Sequence, residues 1–209
     1  MPALDEEESL PLLVSDIGKI FQNSQIEYEI IIVDDGSKIP VNSYIQETNN
    51  LRVFTNTYNK GQSNALFFGI NNSKFRYIAT LDSDGQNPPE EIYNLITFFN
   101  ENSDFDVVCG IRKNRKDNIF RSTYSRIANT LIRFITKSEC KDLGCSLKVF
   151  KKKIIEDIDF NGDIHRILIP LLEYRNYKLG QKEVKHLPRI YGETKYSFTR
   201  FIAVTIDAL

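Results

Sequence analysis

Two aspartates one residue apart, Asp82 and Asp84, are the side chains whose type and spacing best suit chemistry. They follow an apolar run at residues 77–81 and precede a pair of prolines at residues 88–89. This order predicts a buried strand, a turn and then a helix. Because open α/β sheets bind ligands at the carboxyl ends of their strands, both carboxylates are expected at a ligand-binding edge.

The turn after this strand offers more than two carboxylates. It can aim Asp82 and Asp84 at a hard divalent cation, with the amide oxygens of Gln86 and Asn87 as further ligands. A cation held in this way usually binds the oxygen atoms of a phosphate group. The alternative is a polar turn without a ligand, since Asp, Ser, Gly and Asn also build turns on their own. The segments around the turn favour the metal site.

A second pair of carboxylates, Asp34 and Asp35, ends a β-branched run at residues 28–33. At the end of a strand, this pair can accept hydrogen bonds from a nucleobase or a ribose. A turn closed by Asp35 and Gly36 explains the same residues without any ligand. Both interpretations stay open at this point.

Alternating strands and helices must hold these two pairs of carboxylates. The apolar spacing predicts, in order, a helix with an acidic first turn, two strands, a helix, a strand, a helix and a strand, at residues 6–21, 28–33, 51–55, 62–70, 77–81, 88–99 and 106–109. This alternation with short links predicts an α/β fold with one doubly wound, mostly parallel sheet flanked by helices. The chain contains neither G-x-G-x-x-G nor G-x-x-x-x-G-K-[ST], so dinucleotide and P-loop sites lose their main support.

The composition is that of one globular domain, which we assign to residues 1–209. The 209 residues are 41% hydrophobic and can bury one sizeable core. Residues 1–111 hold 6 Lys and Arg against 17 Asp and Glu, whereas residues 112–209 hold 21 against 11. Acidic groups of the first part could hold a metal ion, and basic groups of the second part could bind the anion that the metal ion accompanies. The alternative is that the two parts form solvated surfaces of opposite charge.

The setting is predicted to be reduced and cytoplasmic. Cys109, Cys140 and Cys145 lack metal-ligand spacing, and no secretory signal opens the chain. No apolar run reaches the roughly 18–20 residues that a membrane-spanning helix needs. The three cysteines are therefore expected to be core or incidental thiols.

The alternation of strands and helices ends at a basic stretch, residues 111–126, with six basic residues and one acid. Several of its side chains can donate hydrogen bonds to a phosphate: Arg112, Arg121, Ser125 and Arg126. Nucleic acid is a rival ligand, but the stretch is short, the chain is near neutral and no aromatic side chains interleave with the basic ones. We therefore do not expect a nucleic-acid partner.

The remaining elements are less regular. The patterns predict helices at residues 125–136, 151–158 and 163–174, strands at residues 145–150 and 179–186, and a basic, glycine-containing loop at residues 188–196. The helix at residues 163–174 carries His165. A lone histidine is more often structural than catalytic, so its role is left as structural.

Taken in order, these segments resemble the inverting family 2 glycosyltransferases of the GT-A fold. Within that family they resemble the polyprenyl-phosphate sugar transferases typified by dolichyl-phosphate mannose synthase. The matching segments cover nearly the whole chain: PALDEEESLPLL, IIIVDDGS, NKGQSNALFFGI, LDSDGQNPPE, GIRKNR, SRIAN, GCSLKVFKK, GDIHRILIPLL and HLPRIYGETKY. Each is weak alone, and their order and spacing make the match specific.

The resemblance implies a metal-dependent transfer of a sugar from a nucleotide-diphosphate sugar to a polyprenyl phosphate, dolichyl or undecaprenyl, at a membrane surface. Its implied metal ligands for Mg²⁺ or Mn²⁺ are Asp82, Asp84 and Gln86, and its implied donor-binding residues are Pro2, Ala3, Glu6, Asp34, Asp35 and Lys195. The acceptor phosphate is received by Arg112, Arg121 and Ser125. Arg189 joins Lys195 in a clamp over the donor phosphates, and the residues nearest the reaction are Asp82, Asp84, Arg112 and Arg189. The enzyme would then act at the cytoplasmic face of a membrane, as a peripheral protein.

The sequence departs from the family's pattern at both ends. Family members usually begin with a strand just before the segment that here starts at Pro2, so the first strand is expected to be missing. Many relatives continue into membrane helices beyond the point that matches residue 209. A fragment, a clipped gene model and a peripheral form, which would touch the membrane through residues 196–209, are the three interpretations.

Two other functions remain open on the sequence alone. One is a family 2 transferase whose acceptor is a soluble molecule or a sugar hydroxyl. The other is a shortened protein that binds a nucleotide sugar without turnover. An activity assay with and without metal separates enzyme from binder, and comparing a polyprenyl phosphate with a soluble sugar separates the two enzymes.

Replacing Arg121 with Ala should raise the Michaelis constant for polyprenyl phosphate much more than that for the nucleotide sugar. The reason is that the proposed contact lies on the acceptor side only. Steady-state kinetics with each substrate varied in turn measures both constants. A variant impaired equally toward both substrates, or fully active on polyprenyl phosphate, would show that the basic stretch binds a different ligand.

Overall fold

The computed structural model describes residues 1–113, 130, 132–156, 158 and 164–188. Its strands are β1 (Pro2–Ala3), β2 (Ile30–Asp34), β3 (Leu51–Thr55), β4 (Tyr77–Thr80), β5 (Val107–Lys113), β6 (Lys148–Lys151) and β7 (Leu179–Lys185). Its helices include α1 (Leu10–Gln22), α2 (Gln62–Asn71), α3 (Pro89–Glu101) and α4 (Leu168–Tyr174). Residues 132–136 are also helical, and 3-10 turns occur at Val41–Ser43, Lys152–Ile155 and Ile164–Arg166.

The strands form two sheets, of which the first is parallel and the second is mixed. In the first, β2 lies between β1 and β3, and all three are parallel. In the second, the order is β4-β6-β5-β7, with β5 and β7 parallel and β6 antiparallel to both of its neighbours. The predicted α/β architecture is confirmed, and β6 is the strand whose direction departs from a parallel arrangement.

Helices cover both faces of the sheets, as expected for a doubly wound fold. Helices α1 and α3 bury residues such as Leu13 and Leu95 in one apolar cluster. Helices α2 and α4 contribute Ile70 and Leu172 to a second cluster, which also contains Phe150 of β6. No helix within the described residues is long and apolar enough to cross a membrane.

The prediction of a missing first strand is wrong in one respect, because Pro2–Ala3 form β1. The nitrogen of Met1 lies 2.8 Å from the carbonyl oxygen of Ile31, and the Asp35 amide donates to the Ala3 carbonyl at 2.8 Å. A strand of two residues has no alternating pattern, so the sequence gives no signal for it. Within the described ranges, no ladder of backbone hydrogen bonds joins β1 to β4, and the two sheets are separate.

Several predicted helices have different boundaries in the structure, and the helix predicted at residues 151–158 is a 3-10 turn at Lys152–Ile155. Helix α1 begins at Leu10 with Pro11 in its first turn, so the predicted acidic first turn is wrong and the three glutamates at residues 6–8 precede the helix. The predicted helix at residues 163–174 divides into a 3-10 turn and α4. Pro170 lies in the first turn of α4, where its missing N–H is tolerated. Periodicity identifies such helices but does not locate their ends.

Gly36 and Gly18 provide a test of backbone constraint in this fold. Gly36 has φ +81°, and a Cβ there would lie 2.7 Å from the Tyr58 carbonyl carbon, whereas a Cβ at Gly18 in α1 would meet nothing within 4 Å. Gly36→Ala should lower the free energy of unfolding by more than about 1 kcal/mol, because it adds strain and a backbone collision. Gly18→Ala should raise it by up to about 1 kcal/mol. Urea denaturation measures both, and equal effects would contradict the constraint at Gly36.

Candidate active site

The predicted turn with two carboxylates lies at the carboxyl end of β4, between that strand and α3. Asp82 and Asp84 are half-buried, and Gly85 takes φ +72° to complete the turn. The backbone N–H of Gln86 donates to Asp84 Oδ1 at 3.1 Å, and Gln62 Nε2 donates to Asp82 Oδ1 at 2.9 Å. The strand, turn and helix are therefore confirmed, and both carboxylates lie where the sequence predicts them.

The residues of this turn fit a cation that shares its coordination with substrate. Among the described residues, no group of three or more His, Cys, Asp or Glu side chains could hold a metal ion. Two carboxylates and the Gln86 amide oxygen would instead leave positions for phosphate oxygens and water, which is how Mg²⁺ is commonly bound. The metal role of Asp82, Asp84 and Gln86 stays a prediction.

Asp34 is fully buried at the end of β2. Its Oδ1 accepts the Ser37 N–H at 2.9 Å, and its Oδ2 accepts the Val41 N–H at 3.0 Å. A buried carboxylate needs such donors, because desolvation is costly when the charge is left without hydrogen bonds. Asp34 therefore holds the loop that follows β2.

Asp35 is 3% exposed and holds a different loop. Its Oδ1 accepts hydrogen bonds from Asn56 Nδ2 and the Lys60 N–H, both at 2.9 Å, and its Oδ2 accepts the Gly61 N–H at 2.8 Å. These bonds fasten the start of α2 to the end of β2. Gln62 follows directly and contacts Asp82, so α2 connects Asp35 to the turn at residues 81–88, which we call the metal turn after its predicted role. A direct contact of either aspartate with a nucleotide stays a prediction.

The opening segment, predicted to bind donor, is attached to the metal turn through two serines. Ser83, which lies between the two turn aspartates, donates from Oγ to the Pro2 carbonyl at 2.8 Å. Ser9 Oγ donates to the Ser83 carbonyl at 2.9 Å and lies 3.0 Å from Glu6 Oε2. The structure therefore brings Pro2 and Glu6 together with the turn, and Ala3 is buried beside them in β1.

Arg112, predicted on the acceptor side, lies near the end of β5 and is paired with Asp142. Its Nε and Nη2 each lie 2.7 Å from a different carboxylate oxygen of Asp142. The two side chains are only 10% and 11% exposed. Two parallel N–H···O bonds of this kind fix the plane of the guanidinium as well as its position. A contact with a phosphate remains a prediction for Arg112.

The chain returns to the metal turn immediately before the predicted phosphate clamp. The Leu187 N–H donates to the Gln86 carbonyl at 2.8 Å, and Gln86 Nε2 lies 3.3 Å from the Leu187 carbonyl oxygen. The description ends at Pro188, one residue before Arg189. Four predicted site residues lie outside the described residues: Arg121, Ser125, Arg189 and Lys195.

The pairing of Ser63 with His165 was not predicted from the sequence. Ser63 Oγ lies 2.5 Å from His165 Nδ1 and accepts the backbone N–H of His165 at 3.2 Å. The Ser63 hydroxyl can then donate a hydrogen bond to Nδ1. In that arrangement the imidazole is the neutral tautomer that carries its proton on Nε2. The residues are 102 positions apart, so no local pattern could pair them. The contact fastens the turn at Ile164–Arg166 to the first turn of α2.

The three cysteines behave as core residues. Cys109, Cys140 and Cys145 are free and fully buried. Burial raises the pKa of Cys145 to about 11 and that of Cys109 well above its usual value. These two thiols therefore stay protonated at neutral pH and are unsuited to nucleophilic chemistry.

Known proteins similar in sequence include transferases named for polyprenyl phosphates. The model described as glycosyl transferase family 2 matches residues 1–159. The undecaprenyl-phosphate 4-deoxy-4-formamido-L-arabinose transferase of Proteus mirabilis is 36% identical over 216 positions, covering 100% of this chain and 65% of the relative. The dodecaprenyl-phosphate galacturonate synthase of Rhizobium johnstonii is 34% identical over 217 positions, covering 100% and 64%. The chain thus spans slightly less than two thirds of the length of these relatives.

Solved structures of low sequence identity share the fold. Mannosyl-3-phosphoglycerate synthase from Rubrobacter xylanophilus has a TM-score of 0.78 at 13% identity, covering 99% of this chain and 70% of that chain. Glucosyl-3-phosphoglycerate synthase from Mycobacterium tuberculosis, in complex with Mn²⁺ and UDP-glucose, has a TM-score of 0.72 at 15% identity, covering 98% and 73%. These neighbours have the GT-A fold of glycosyltransferases. With the fold agreed and the family model matching residues 1–159, the chain belongs to glycosyl transferase family 2.

Proposed function

We propose that this chain is the catalytic part of an inverting glycosyltransferase that moves a sugar from a nucleotide-diphosphate sugar to a polyprenyl phosphate. The observation that carries the proposal is the arrangement at the sheet edge. Asp82 and Asp84 lie in the turn that follows β4, and a fixed, almost buried guanidinium, that of Arg112, lies near the end of β5 in the same sheet. An acidic turn for a metal and its diphosphate, with a cation for a second phosphate, is what this reaction requires.

The names of the sequence relatives support the acceptor. The two transferases that match the full chain at 34–36% identity are named for undecaprenyl phosphate and dodecaprenyl phosphate. A phosphate acceptor is already largely ionised at neutral pH, since the second pKa of such a group is about 6. Its oxygen can attack the anomeric carbon without a strong general base, while the bond from that carbon to the diphosphate oxygen breaks.

The residues of the chain divide the work in this reaction. Asp82, Asp84 and Gln86 would hold Mg²⁺ or Mn²⁺, which as a Lewis acid offsets charge on the departing diphosphate. Arg189 and Lys195 would close over the same diphosphate. The hydrogen bond from Leu187 to Gln86 supports this role, because it holds the chain against the metal turn two residues before Arg189. Arg112, Arg121 and Ser125 would receive the acceptor phosphate.

The donor would lie along the segments that Asp34 and Asp35 hold. Hydrogen bonds that both carboxylates accept from backbone N–H groups fix the loops after β2 and before α2, and β1 lies directly beside β2. Pro2, Ala3 and Glu6 belong to this same wall. A pocket with such fixed walls would hold the nucleotide with little reorganisation on binding.

The enzyme would work at the cytoplasmic face of a membrane, where a polyprenyl phosphate resides. Residues 196–209 contain enough apolar side chains to enter an interface and too few to span a bilayer. Contact through this segment should therefore be reversible and sensitive to salt.

A soluble acceptor is the second candidate, because the solved structures of the same fold are named for synthases of phosphoglycerate glycosides. A panel of nucleotide sugars should be assayed for release of nucleoside diphosphate, with undecaprenyl phosphate, 3-phosphoglycerate or a free sugar as acceptor. Metal-dependent release with undecaprenyl phosphate alone supports the proposal. Release with a soluble acceptor favours the second candidate, and donor binding without release under any condition overturns both.

Replacing Asp84 with Ala should abolish metal-dependent donor binding, weakening it at least about a hundredfold, while the melting temperature stays nearly unchanged. The side chain is half-buried at a turn and contributes little to the core. Calorimetry of donor binding with and without Mn²⁺ checks the first part. Metal-enhanced binding that survives in the variant would remove Asp84 from the metal site.

Asp34→Ala is the matched contrast to Asp84→Ala. It should lower the free energy of unfolding by roughly 2–4 kcal/mol, because the buried N–H of Val41 and that of Ser37 both lose their acceptor. Thermal and urea unfolding measure the loss, with Asp16→Ala, which removes an exposed ion pair with Lys19, as control. If Asp34→Ala is as stable as the control, the carboxylate does not hold this loop.

A further inference from the structure

One short segment, residues 142–146, touches both the metal turn and Arg112, and we refer to it as the clasp. It ends one residue before the antiparallel strand β6 and carries Asp142 at its start and Ser146 at its end. Neither residue has a role in the reaction proposed above. Their contacts connect the two parts of the site that the reaction must keep at a fixed separation.

Asp142 holds Arg112 at three points. Besides the two bonds to the guanidinium, Asp142 Oδ2 accepts the backbone N–H of Arg112 at 3.2 Å. Gly144 lies against the same guanidinium, since a Cβ at this position would be 2.9 Å from Arg112 Nη2. The arginine is thus fixed in both main chain and side chain by one carboxylate and packed against one glycine.

Ser146 holds the metal turn in a comparable way. Its Oγ accepts the Asp82 N–H at 3.3 Å and Asn87 Nδ2 at 3.0 Å, and its carbonyl accepts Thr80 Oγ1 at 2.7 Å. Asn87 is 4% exposed, and its Oδ1 is buried without a hydrogen-bond partner. The bond to Ser146 therefore fixes the orientation of an amide that receives little other support.

The register of β6 explains why five residues can reach both parts. Lys148 pairs with Thr80 of β4 on one side and with Cys109 of β5 on the other. Because β6 is antiparallel to both, the residues before it lie at the same edge as the residues after β4 and β5. The clasp is therefore anchored by two ladders immediately beside the groups that it contacts.

We propose that the clasp positions the two parts of the reaction centre, with Ser146 setting the Asp82 turn and Asp142 setting the acceptor-side guanidinium of Arg112. This inference rests on the proposed function for the roles of Asp82 and Arg112. Asp142 and Ser146 act through those residues and are positioning residues, not groups that touch substrate.

Substitutions at the two ends of the clasp should affect different steps, with Ser146 affecting nucleotide binding and Asp142 affecting the acceptor. Ser146→Ala should weaken Mn²⁺-dependent binding of nucleoside diphosphate about tenfold, and Ser146→Thr, which keeps the hydroxyl, should restore most of it. Asp142→Asn should raise the Michaelis constant for undecaprenyl phosphate about tenfold and leave nucleotide binding within twofold. Calorimetry with UDP, GDP, ADP and CDP in the presence of Mn²⁺ measures the first effect, and steady-state kinetics the second.

A double-mutant cycle separates positioning from a general effect on structure. In an Arg112→Ala background, Asp142→Asn should cause no further loss toward undecaprenyl phosphate, since Asp142 acts only through the arginine. Glu183→Gln is the matched control, because it breaks an exposed pair with Lys113 on the neighbouring strands β7 and β5 and should change neither constant. Melting temperatures of all variants monitor folding.

The outcomes distinguish this proposal from the function on which it rests. Losses that add in the cycle, or a Ser146→Thr variant as defective as Ser146→Ala at equal melting temperature, overturn the clasp. If the wild type binds a diphosphate with Mn²⁺ but transfers nothing to undecaprenyl phosphate, the proposed acceptor and the Asp142 part fail together. The titrations then still decide the Ser146 part, and a wild type that binds no diphosphate overturns both proposals.

Discussion

The geometry of the site depends most on the hydrogen bonds that the buried carboxylate of Asp35 accepts. A polar group with 3% exposure needs hydrogen-bond partners, and here two backbone N–H groups and one side-chain amide supply them. Those donors belong to the loop before α2. By accepting their hydrogen bonds, the Asp35 carboxylate holds this loop and the start of the helix in place. The first side chain of α2, Gln62, then reaches the metal turn. Asp35 and the turn that carries Asp82 are therefore coupled through a helix terminus.

A similar dependence links the two sheets. Backbone ladders hold β1, β2 and β3 together and β4, β5, β6 and β7 together, but none described here crosses between the groups. The sheets are connected by the apolar cluster that contains residues of both, and by hydroxyl groups that donate from Ser83 to the Pro2 carbonyl and from Ser9 to the Ser83 carbonyl. Ser83 belongs to the metal turn, so the junction of the sheets and the candidate metal site occupy the same place. Any change in the separation of the sheets would reach the carboxylates directly.

Local signals account for what could be predicted from the sequence. The strand before Asp82, the turn and the helix starting at Pro89 each depend on neighbouring residues: an apolar run, short polar side chains and a proline pair. What escaped prediction depends on distant partners. Asp142 lies 30 positions from Arg112, and β6 obtains its direction from two strands that precede it by tens of residues. The start of α1 was misplaced for another reason, since periodicity continues through the acidic residues before Pro11 and cannot mark a boundary.

The antiparallel direction of β6 has a consequence for the order of folding. This strand lies between β4 and β5, which are adjacent in sequence but not in the sheet, and it arrives only at residues 148–151. Pairings of such long sequence separation form slowly, because the chain must close large loops before any contact is gained. A growing polypeptide that has not reached residue 151 therefore carries the paired aspartates and the arginine on strands that are not yet in register. The groups at this edge come into register only when β6 pairs with both strands, and β7 completes the sheet afterwards.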